Sequence, residues 1–392
     1  MRRGLIFSVL LAMPSVAAAH GPAPAALGAV GPPESPVHFV RTNIGIAAHN
    51  VGDFNTFHYL CPAWWGETEG IVPHAVATSD GLLTLAHRGQ IYLAHACGVI
   101  PVEALPGAGS TAALAVDPSN EVWIVTREGA DSTLWRTAGG QVVDREHLAS
   151  AQATDVYARQ GEVLVAIARP RPRILRRGTV GPSEEVLDLP ELSYLGLRLG
   201  GRFLHATTDE GPALYERTDA GLERVLGAFT SIHGPVPLGD GWLAVADGVL
   251  HHREAAHGPF IAGAEARWTC LQAREDGAYA CFERRLHRIG GPPTAPVLQE
   301  VFALEQIIGV DACGPEARGM CSSQWSHFGA EAGLVRADAG VPAVLPRDGG
   351  PPGAAPASGG GGCSTGGGAG DAGWGWVLVL GYLRKKCLKS RG

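Results

Sequence analysis

A unit of nearly constant length recurs along most of this chain. Each unit opens with a turn signal, continues into a run of β-forming residues, breaks briefly and continues into a second run. Seven clear units begin at Asn43, Asp80, Asn120, Gly161, Gly201, Asp240 and Asp276, and a degraded eighth begins at Arg318. Successive units start 37, 40, 41, 40, 39, 36 and 42 residues apart. A four-stranded propeller blade has a period of ~40–45 residues, so the spacing indicates that architecture.

The residues within each unit favour the same architecture. Asp-Gly and Gly-Gly pairs supply the positive φ angles of tight turns, and Val, Ile, Leu, Trp and Tyr fill the runs between them. One such sheet cannot bury both faces alone, whereas a closed ring gives each sheet two dry neighbours. No helical pattern separates the runs, as an α/β fold would require. We predict an all-β propeller of seven or eight four-stranded blades over residues 36–346.

Composition excludes several classes of protein. The 392-residue chain is 45% hydrophobic and 18% charged, which is too apolar for a disordered chain. Residues 20–347 contain 24 Lys and Arg against 36 Asp and Glu, a net charge of −12. A body this acidic argues against a nucleic-acid partner, because phosphate binding needs clustered cations.

The N-terminus has the pattern of a secretory signal peptide. Arg2 and Arg3 precede a short apolar run, and three alanines end at Ala19. The apolar run is too short to span a bilayer as a helix, which needs ~20 residues. We therefore expect residues 1–19 to be removed by cleavage between Ala19 and His20.

The C-terminus has a second address signal. Residues 347–362 are mostly Gly, Pro, Ala and Ser, which predicts a flexible linker. Residues 363–392 begin with the pair Cys363-Ser364, continue through an apolar stretch and end in a basic cluster that holds every Lys of the protein. A short apolar segment backed by positive charge is typical of a signal held in the inner membrane with its cationic end inside.

This tail resembles the MYXO-CTERM sorting signal of myxobacterial-type surface proteins, in its tether, its Cys-Ser pair, its hydrophobic stretch and its basic end. The resemblance implies that Cys363 is the residue at which the chain is processed and anchored. It also implies display on the outer surface or outer membrane of a Gram-negative bacterium, with membrane contact only through the C-terminal signal. A degenerate single-span tail anchor is the alternative.

Eight cysteines in an exported chain predict disulfides. Cys270 and Cys281 are symmetric about a four-residue turn, residues 274–277. They can therefore face each other across a hairpin, where the Cα separation of ~4.5–5.5 Å is within disulfide reach.

The other body cysteines are assigned by position in the repeat. Cys313 and Cys321 occupy the corresponding two places in the next unit, so we expect them to pair. By elimination Cys61 pairs with Cys97 and ties adjacent blades together. Free buried thiols are the alternative, and zinc is not predicted because no Cys-x-x-Cys spacing occurs.

Signals of enzymatic chemistry are weak. Residues 36–346 contain no Gly-x-Ser-x-Gly, no His-Glu-x-x-His and no Gly-x-Gly-x-x-Gly that opens a helix, and the Ser-x-Asp-x-Gly-x-Thr-Trp box of sialidase-like propellers is missing. No cofactor and no metal are predicted. Weak candidates are polar residues at equivalent strand ends, His49, His87, Thr207, Asp247 and Glu283, which a ring could collect on one rim as metal ligands or an acid/base group. The alternative is that strand ends are polar because they meet solvent.

One aromatic pair is a candidate contact surface. Trp64 and Trp65 lie in a predicted loop next to Cys61, where exposed rings could bind a glycan or a protein. The sequence thus favours a surface-anchored propeller, of the WD-repeat or sialidase kind in its body, that acts as a non-enzymatic scaffold for an extracellular protein or glycan. The alternative is a secreted propeller enzyme, a hydrolase or lyase, with a metal or an acid/base site near the ring axis.

Overall fold

The structure is a computed structural model, and it describes part of the chain. The described residues are 26–30, 39–43, 45–50, 53–67, 72–79, 81–95, 98–159, 161–178, 181–189, 192, 194–198, 201–219, 221–227, 229–254, 258–265, 267–274, 277–282, 284–307, 309 and 314–331. Outside them lie the predicted signal peptide (1–19), the linker (347–362), the sorting signal (363–392) with Cys363, and also Cys97, Glu283 and Cys313. The chain divides into two compact units, Met1–Val344 and Leu345–Gly392, and every described residue belongs to the first.

The described residues form seven antiparallel sheets of four strands, and each sheet is one contiguous stretch of chain. Blades 1 to 4 consist of β1 (Ala26–Val30), β2 (Phe39–Thr42), β3 (Ile46–Asn50), β4 (Asp53–Leu60); β5 (His74–Ala77), β6 (Leu83–His87), β7 (Gln90–His95), β8 (Gly98–Ala104); β9 (Ser110–Val116), β10 (Val122–Glu128), β11 (Asp131–Ala138), β12 (Gln141–Leu148); β13 (Gln152–Arg159), β14 (Glu162–Arg169), β15 (Arg173–Gly178), β16 (Glu184–Asp188). Blades 5 to 7 consist of β17 (Tyr194–Arg198), β18 (Phe203–Thr208), β19 (Gly211–Thr218), β20 (Gly221–Gly227); β21 (Ile232–Leu238), β22 (Gly241–Ala246), β23 (Val249–Arg253), β24 (Ile261–Glu265); β25 (Trp268–Arg274), β26 (Gly277–Phe282), β27 (Arg285–Gly290), β28 (Val297–Ala303).

The seven sheets close into a propeller ring. The first strand of each blade lies innermost, and these strands meet around the axis: β5 contacts β9, β9 contacts β13, β13 contacts β17, and β21 contacts β25. The ring closes because β1 contacts both β5 and β25. The predicted all-β propeller is confirmed, and the number of blades is seven.

Seven apolar cores hold the ring together, one at each interface between successive blades. Between blades 4 and 5, for example, Leu164 packs with Leu204, and between blades 5 and 6 Phe203 packs with Ala244. Alternate strand residues point to opposite faces, so each blade contributes to two cores. Burial of apolar surface at ~25 cal/mol per Å² therefore stabilises the blades mainly through their neighbours.

The segment predicted as an eighth unit is a helix. It forms α1 (Gly314–Glu331), in which Cys321, Trp325 and Phe328 are buried in the core between blades 7 and 1. Their spacing of four and three residues is the period of one helix face. The prediction of an eighth β unit is therefore wrong. No helix in the described part of the chain combines the length and the hydropathy needed to cross a bilayer.

The first predicted unit is out of step with the rest. The hairpin that follows Asn43 consists of β3 and β4, the outer strands of blade 1, whereas the later units are the second and third strands of their blades. Blade 1 begins at Ala26, ahead of the predicted boundary at residue 36. Its first strand, Ala-Leu-Gly-Ala-Val, has few β-branched or aromatic residues and no flanking Asp-Gly turn, so it carries no strand signal.

The chain that follows β28 lies along the outer strand of blade 1. After β28, a 3-10 helix (Leu304–Gln306) leads to Ile307, which bridges in parallel to Phe57 of β4. The Tyr59 N–H then donates to the Gly309 carbonyl at 3.2 Å. We call the 3-10 helix, Ile307, Gly309 and α1 the closing segment. It continues blade 1 outward, although blade 1 already has its four strands.

A disulfide fixes the closing segment to blade 1. Cys61, directly after β4, bonds to Cys321 of α1, with their Cα atoms 5.6 Å apart. The predicted pairs Cys61–Cys97 and Cys313–Cys321 are therefore wrong, because Cys321 lies on a helix against blade 1 and not in a hairpin strand.

The structure contains the disulfide that the hairpin spacing predicts. Cys270 and Cys281 lie directly opposite each other in the β25–β26 register and are bonded, with a Cα separation of 4.9 Å.

Candidate functional site

The predicted strand-end histidines have separate local roles. His49 lies on β3 and is 7% exposed, with its ring edge-on to Phe57 at a centroid distance of 5.3 Å. His87 ends β6, and its Nε2 lies 2.7 Å from the Glu67 carboxylate, which also accepts from Arg88 at 2.8 Å. These two histidines are not in equivalent strands, because the first unit is shifted by one strand.

The other strand-end candidates do not join them. Asp247 lies in the exposed turn after β22 with a φ of 50°, and it accepts hydrogen bonds from the Thr230 and Ser231 N–H groups at 2.9 and 2.8 Å. The Thr230 hydroxyl, which also donates to it, and these N–H groups lower the pKa of Asp247. Thr207 lies within β18, and Glu283 is outside the described residues. Within the described ranges no three His, Cys, Asp or Glu residues are close enough to hold a metal ion.

The tryptophan pair is part of the core. A 3-10 helix, Pro62–Trp65, turns both rings inward after β4. Trp65 is 2% exposed, and Trp64 packs against the cores on both sides of blade 1 with its indole N–H buried and unpartnered. The prediction of an exposed ring is therefore wrong for Trp65, whereas Trp64 is only half-buried and stays a prediction.

The first and second strands of several blades bring a different set of polar side chains to one end of the ring. Arg127 lies opposite Ser110, the first residue of β9, and its Nε donates to the Ala153 carbonyl of β13 at 2.6 Å. The Thr154 hydroxyl donates to the Leu195 carbonyl of β17 at 2.5 Å. The starts of these strands are therefore level with one another at the same end of the ring.

Blades 1 to 3 contribute two arginines and a histidine to this end, which we call the axial basic cluster: Arg41, His74 and Arg127. Arg41 on β2 donates from Nη2 to the Val72 carbonyl at 3.0 Å, two residues before His74 begins β5. Burial, with the charges of Arg41, Arg127 and His87, lowers the pKa of His74 to about 4. His74 is therefore neutral at physiological pH.

The arginines of the axial basic cluster lack an acidic partner among the described residues. Burial lowers the pKa of Arg41, and its Nε is buried without a hydrogen-bond partner. Arg127 uses its Nε on a backbone carbonyl and makes no ion pair in the described chain. A cation as buried as Arg41 is normally paired with a carboxylate, so its arrangement is unusual.

Blades 4 to 6 contribute a second, paired group. The Asp155 carboxylate accepts from the Leu197 N–H at 2.8 Å and from Arg198 Nη1 at 3.0 Å. Burial raises the pKa of Asp155, against the opposing effect of Arg198 and of the backbone hydrogen bonds. His205 Nε2 donates to the Gly234 carbonyl at 2.9 Å, and burial together with Arg198 lowers its pKa to about 3. His205 is therefore a neutral histidine with its proton on Nε2.

The sequence contains a signal for this site, arginine residues at the ends of apolar runs, that the prediction of site residues did not use. Arg41, Arg127 and Arg198 each stand at or near the end of an apolar strand run, where the repeat alignment had selected only His, Thr, Asp and Glu. Arg127 lies within the unit that begins at Asn120, whereas His74 lies on β5, an innermost strand outside the repeated hairpins.

Comparisons with known proteins are limited to fold. No protein-family model and no curated protein matches the chain. Virginiamycin B lyase from Staphylococcus aureus is 14% identical over 58% of this chain and 83% of that chain, with a TM-score of 0.44. The WD40 repeats of RRP9 are 12% identical over 72% and 96%, with a TM-score of 0.49. PorZ, a bacterial surface component of the type-IX secretion system of Porphyromonas gingivalis, is 12% identical over 71% and 39%, with a TM-score of 0.48. No function is inferred from similarities at this level.

Proposed function

We propose that this protein is exported and displayed on the outer surface of a Gram-negative cell, where its propeller acts as a non-enzymatic binding scaffold for an extracellular protein or glycan. The N-terminal signal pattern and the sorting-signal resemblance around Cys363 support the address. The two disulfides among the described residues support it too, because disulfides persist in oxidising compartments.

The observation that carries the binding part of the proposal is the collection of side chains at one end of the axis. Arg41, His74 and Arg127 come from three different blades, so one ligand at this end could contact all three. Each blade is fixed by two apolar cores, which holds such groups in place before a ligand arrives. Preorganised polar groups bind well because little ordering entropy is lost on association.

The binding proposal is tested with the purified full chain on a glycan array and with purified secreted proteins of the same culture. We expect at least one ligand to bind saturably, and we expect Arg127→Ala to weaken that binding. Arg145→Ala is the matched control, because Arg145 is exposed on the outermost strand β12. Equal loss of binding in both variants, or no binding at all, would contradict the proposal.

The address is tested by replacing the two tail cysteines in turn. We expect Cys363→Ser to release the protein from the cell or to hold it in an unprocessed form, while Cys387→Ser leaves it cell-associated. Protease digestion of intact cells followed by immunoblotting reports both outcomes. Full surface display of the Cys363→Ser variant would show that the residue has no role in anchoring.

One observation favours the alternative, an enzyme with an acid/base group near the axis. His74 is unprotonated at neutral pH, because burial and the charges of Arg41 and Arg127 lower its pKa to about 4. A neutral histidine can accept a proton from a bound substrate. Turnover of an array ligand that is lost in His74→Gln, with binding retained, would favour the enzyme over the scaffold.

A further inference from the structure

The axial basic cluster is an electrostatic exception in this protein. Residues 20–347 carry a net charge of −12, yet at this end of the ring Arg41 donates to the Val72 carbonyl next to β5 and Arg127 donates to the Ala153 carbonyl of β13, with no carboxylate bound to either arginine in the described chain. Desolvating a cation without a counter-charge costs free energy that other contacts must offset. An anion supplied from outside the chain would remove that cost.

We propose that Arg41, His74 and Arg127 form a binding site for an anionic group, a carboxylate or a phosphate, that reaches them along the axis of the ring. This inference rests on the proposed function and names the chemistry of its ligand.

The donors that remain available fit such a group. Arg41 uses Nη2 on the Val72 carbonyl and has an unpartnered Nε, and Arg127 uses only its Nε on the Ala153 carbonyl. Each guanidinium therefore keeps N–H donors in the planar geometry that matches carboxylate and phosphate oxygens. His74, as a neutral ring, adds one further N–H donor.

Nearby carboxylates do not occupy this position. Glu67 is engaged by His87 and Arg88, at 2.7 and 2.8 Å. Asp155 is held by Arg198 at 3.0 Å and by two backbone N–H groups. Glu67 and Asp155 are thus both paired with residues outside the axial basic cluster. The arginines of the axial basic cluster therefore keep their positive charge uncompensated by these two carboxylates.

The test is isothermal titration of the purified full chain with inorganic phosphate and, separately, with citrate, at low ionic strength. We expect saturable binding of at least one probe, weakened about tenfold or more by Arg127→Gln and by Arg41→Gln. Arg145→Gln, on the exposed outer strand, is expected to bind as the parent does. Binding of phosphate alone or of citrate alone identifies the anion, and both outcomes support the site. Higher salt should weaken binding, because the attraction is electrostatic.

Several results would overturn the inference. Neither probe binding, or equal binding by the parent and by a folded Arg127→Gln variant, excludes an anion site at these residues. The urea midpoint of each variant shows whether it is folded, and Arg127→Gln loses only one backbone hydrogen bond of the parent. A chain that binds glycans or proteins but neither anion keeps the scaffold function and loses this site. A chain that binds an anion but no glycan or protein keeps this site and loses the scaffold function.

Discussion

The clearest case of a buried charge with its partners in place lies between blades 5 and 6. Glu216 and Arg253 are each 2% exposed, and Arg253 Nη1 donates to Glu216 Oε2 at 2.8 Å. Arg202 Nη2 donates to the other carboxylate oxygen at 2.8 Å. Burial raises the pKa of Glu216, but the hydrogen bonds from the two arginines outweigh it and the net shift is downward.

We expect Glu216→Gln to lower the free energy of unfolding by about 3–5 kcal/mol, because it leaves Arg253 as an uncompensated buried cation. Urea denaturation followed by circular dichroism measures the change. The control is Glu210→Gln, since Glu210 is 66% exposed and pairs with Arg224 on the surface. That variant should lose no more than about 1 kcal/mol. Equal effects of the two changes would mean that burial of the pair does not matter.

His205 makes the fold sensitive to acid. Its pKa is about 3 in the folded protein against 6.5 for a free histidine, because it is buried near Arg198 and His233. The unfolded chain therefore binds a proton that the folded chain does not, and stability falls as the pH drops from about 6.5 toward 3.

We expect His205→Gln to flatten this dependence, because glutamine can still donate to the Gly234 carbonyl but does not titrate. The measurement is the urea midpoint at several pH values between 7 and about 4. His147→Gln is the matched control, since the His147 side chain is 61% exposed. A parent protein whose stability does not fall with pH in this window would show that His205 is not buried as described.

Single residues were the hardest part to predict from the sequence. The Cys270–Cys281 pair was predictable because both cysteines lie within one hairpin, whose register follows from its turn. The pairing of Cys61 was not predictable, because its partner Cys321 is 260 residues away on a helix. Trp64 and Trp65 were assigned to an exposed loop because nothing in their neighbourhood indicates the 3-10 helix that buries them.

At the scale of elements, the closing segment decides how the ring is held. Its disulfide joins residues 260 positions apart, whereas Cys270–Cys281 joins residues only 11 apart. In the chain-entropy account a crosslink stabilises by restricting the unfolded state, and the effect grows with the length of the loop that it closes.

We expect the double variant Cys61→Ser, Cys321→Ser to lose about 2–5 kcal/mol of unfolding free energy. The double variant Cys270→Ser, Cys281→Ser should lose less, since its loop is short. Denaturation of both variants without reductant measures the difference. Mass spectrometry of the non-reduced parent digest should recover both linked peptide pairs. A Cys61–Cys97 peptide in that digest would contradict the closure described here.

Elements were predictable where strong turns mark them. The middle hairpins of blades 2 to 7 follow turn signals, which are Asp-Gly pairs in blades 2, 6 and 7, a Gly-Gly pair in blade 5 and a single Asn or Gly in blades 3 and 4. The innermost strands were harder to predict, because they carry polar residues such as His74 and Asp155 among their apolar ones. Helix α1 was not predicted either, because its Gly and Ser residues have low helix propensity and its apolar face is narrow. The axial basic cluster combines His74 of an innermost strand with Arg41 of β2 and Arg127 of β10, so no single position of the repeat predicts it.

At the scale of the whole molecule, the seven cores make the ring a single cooperative unit. Tryptophans report on distant parts of it, with Trp123 in blade 3, Trp242 in blade 6 and Trp325 in α1. Every blade loses two apolar interfaces when it unfolds, so partial opening exposes the dry faces of its neighbours.

We therefore expect one unfolding transition, with coincident midpoints by tryptophan fluorescence and by far-ultraviolet circular dichroism. The unmodified oxidised chain is used for both measurements. Two separated transitions, or a fluorescence midpoint well below the circular dichroism midpoint, would mean that some blades unfold independently of the others.

Blade 1 has its four strands within Ala26–Leu60, and each of the seven described sheets is built from consecutive strands of the chain. A gene segment that encodes one blade could therefore be duplicated or deleted without leaving half a sheet at the junction. The register of the terminal helix against Cys61 would survive such an event, because both partners lie outside the inserted stretch. Rings with different numbers of blades could therefore arise by recombination, and the Cys61–Cys321 disulfide would close each of them.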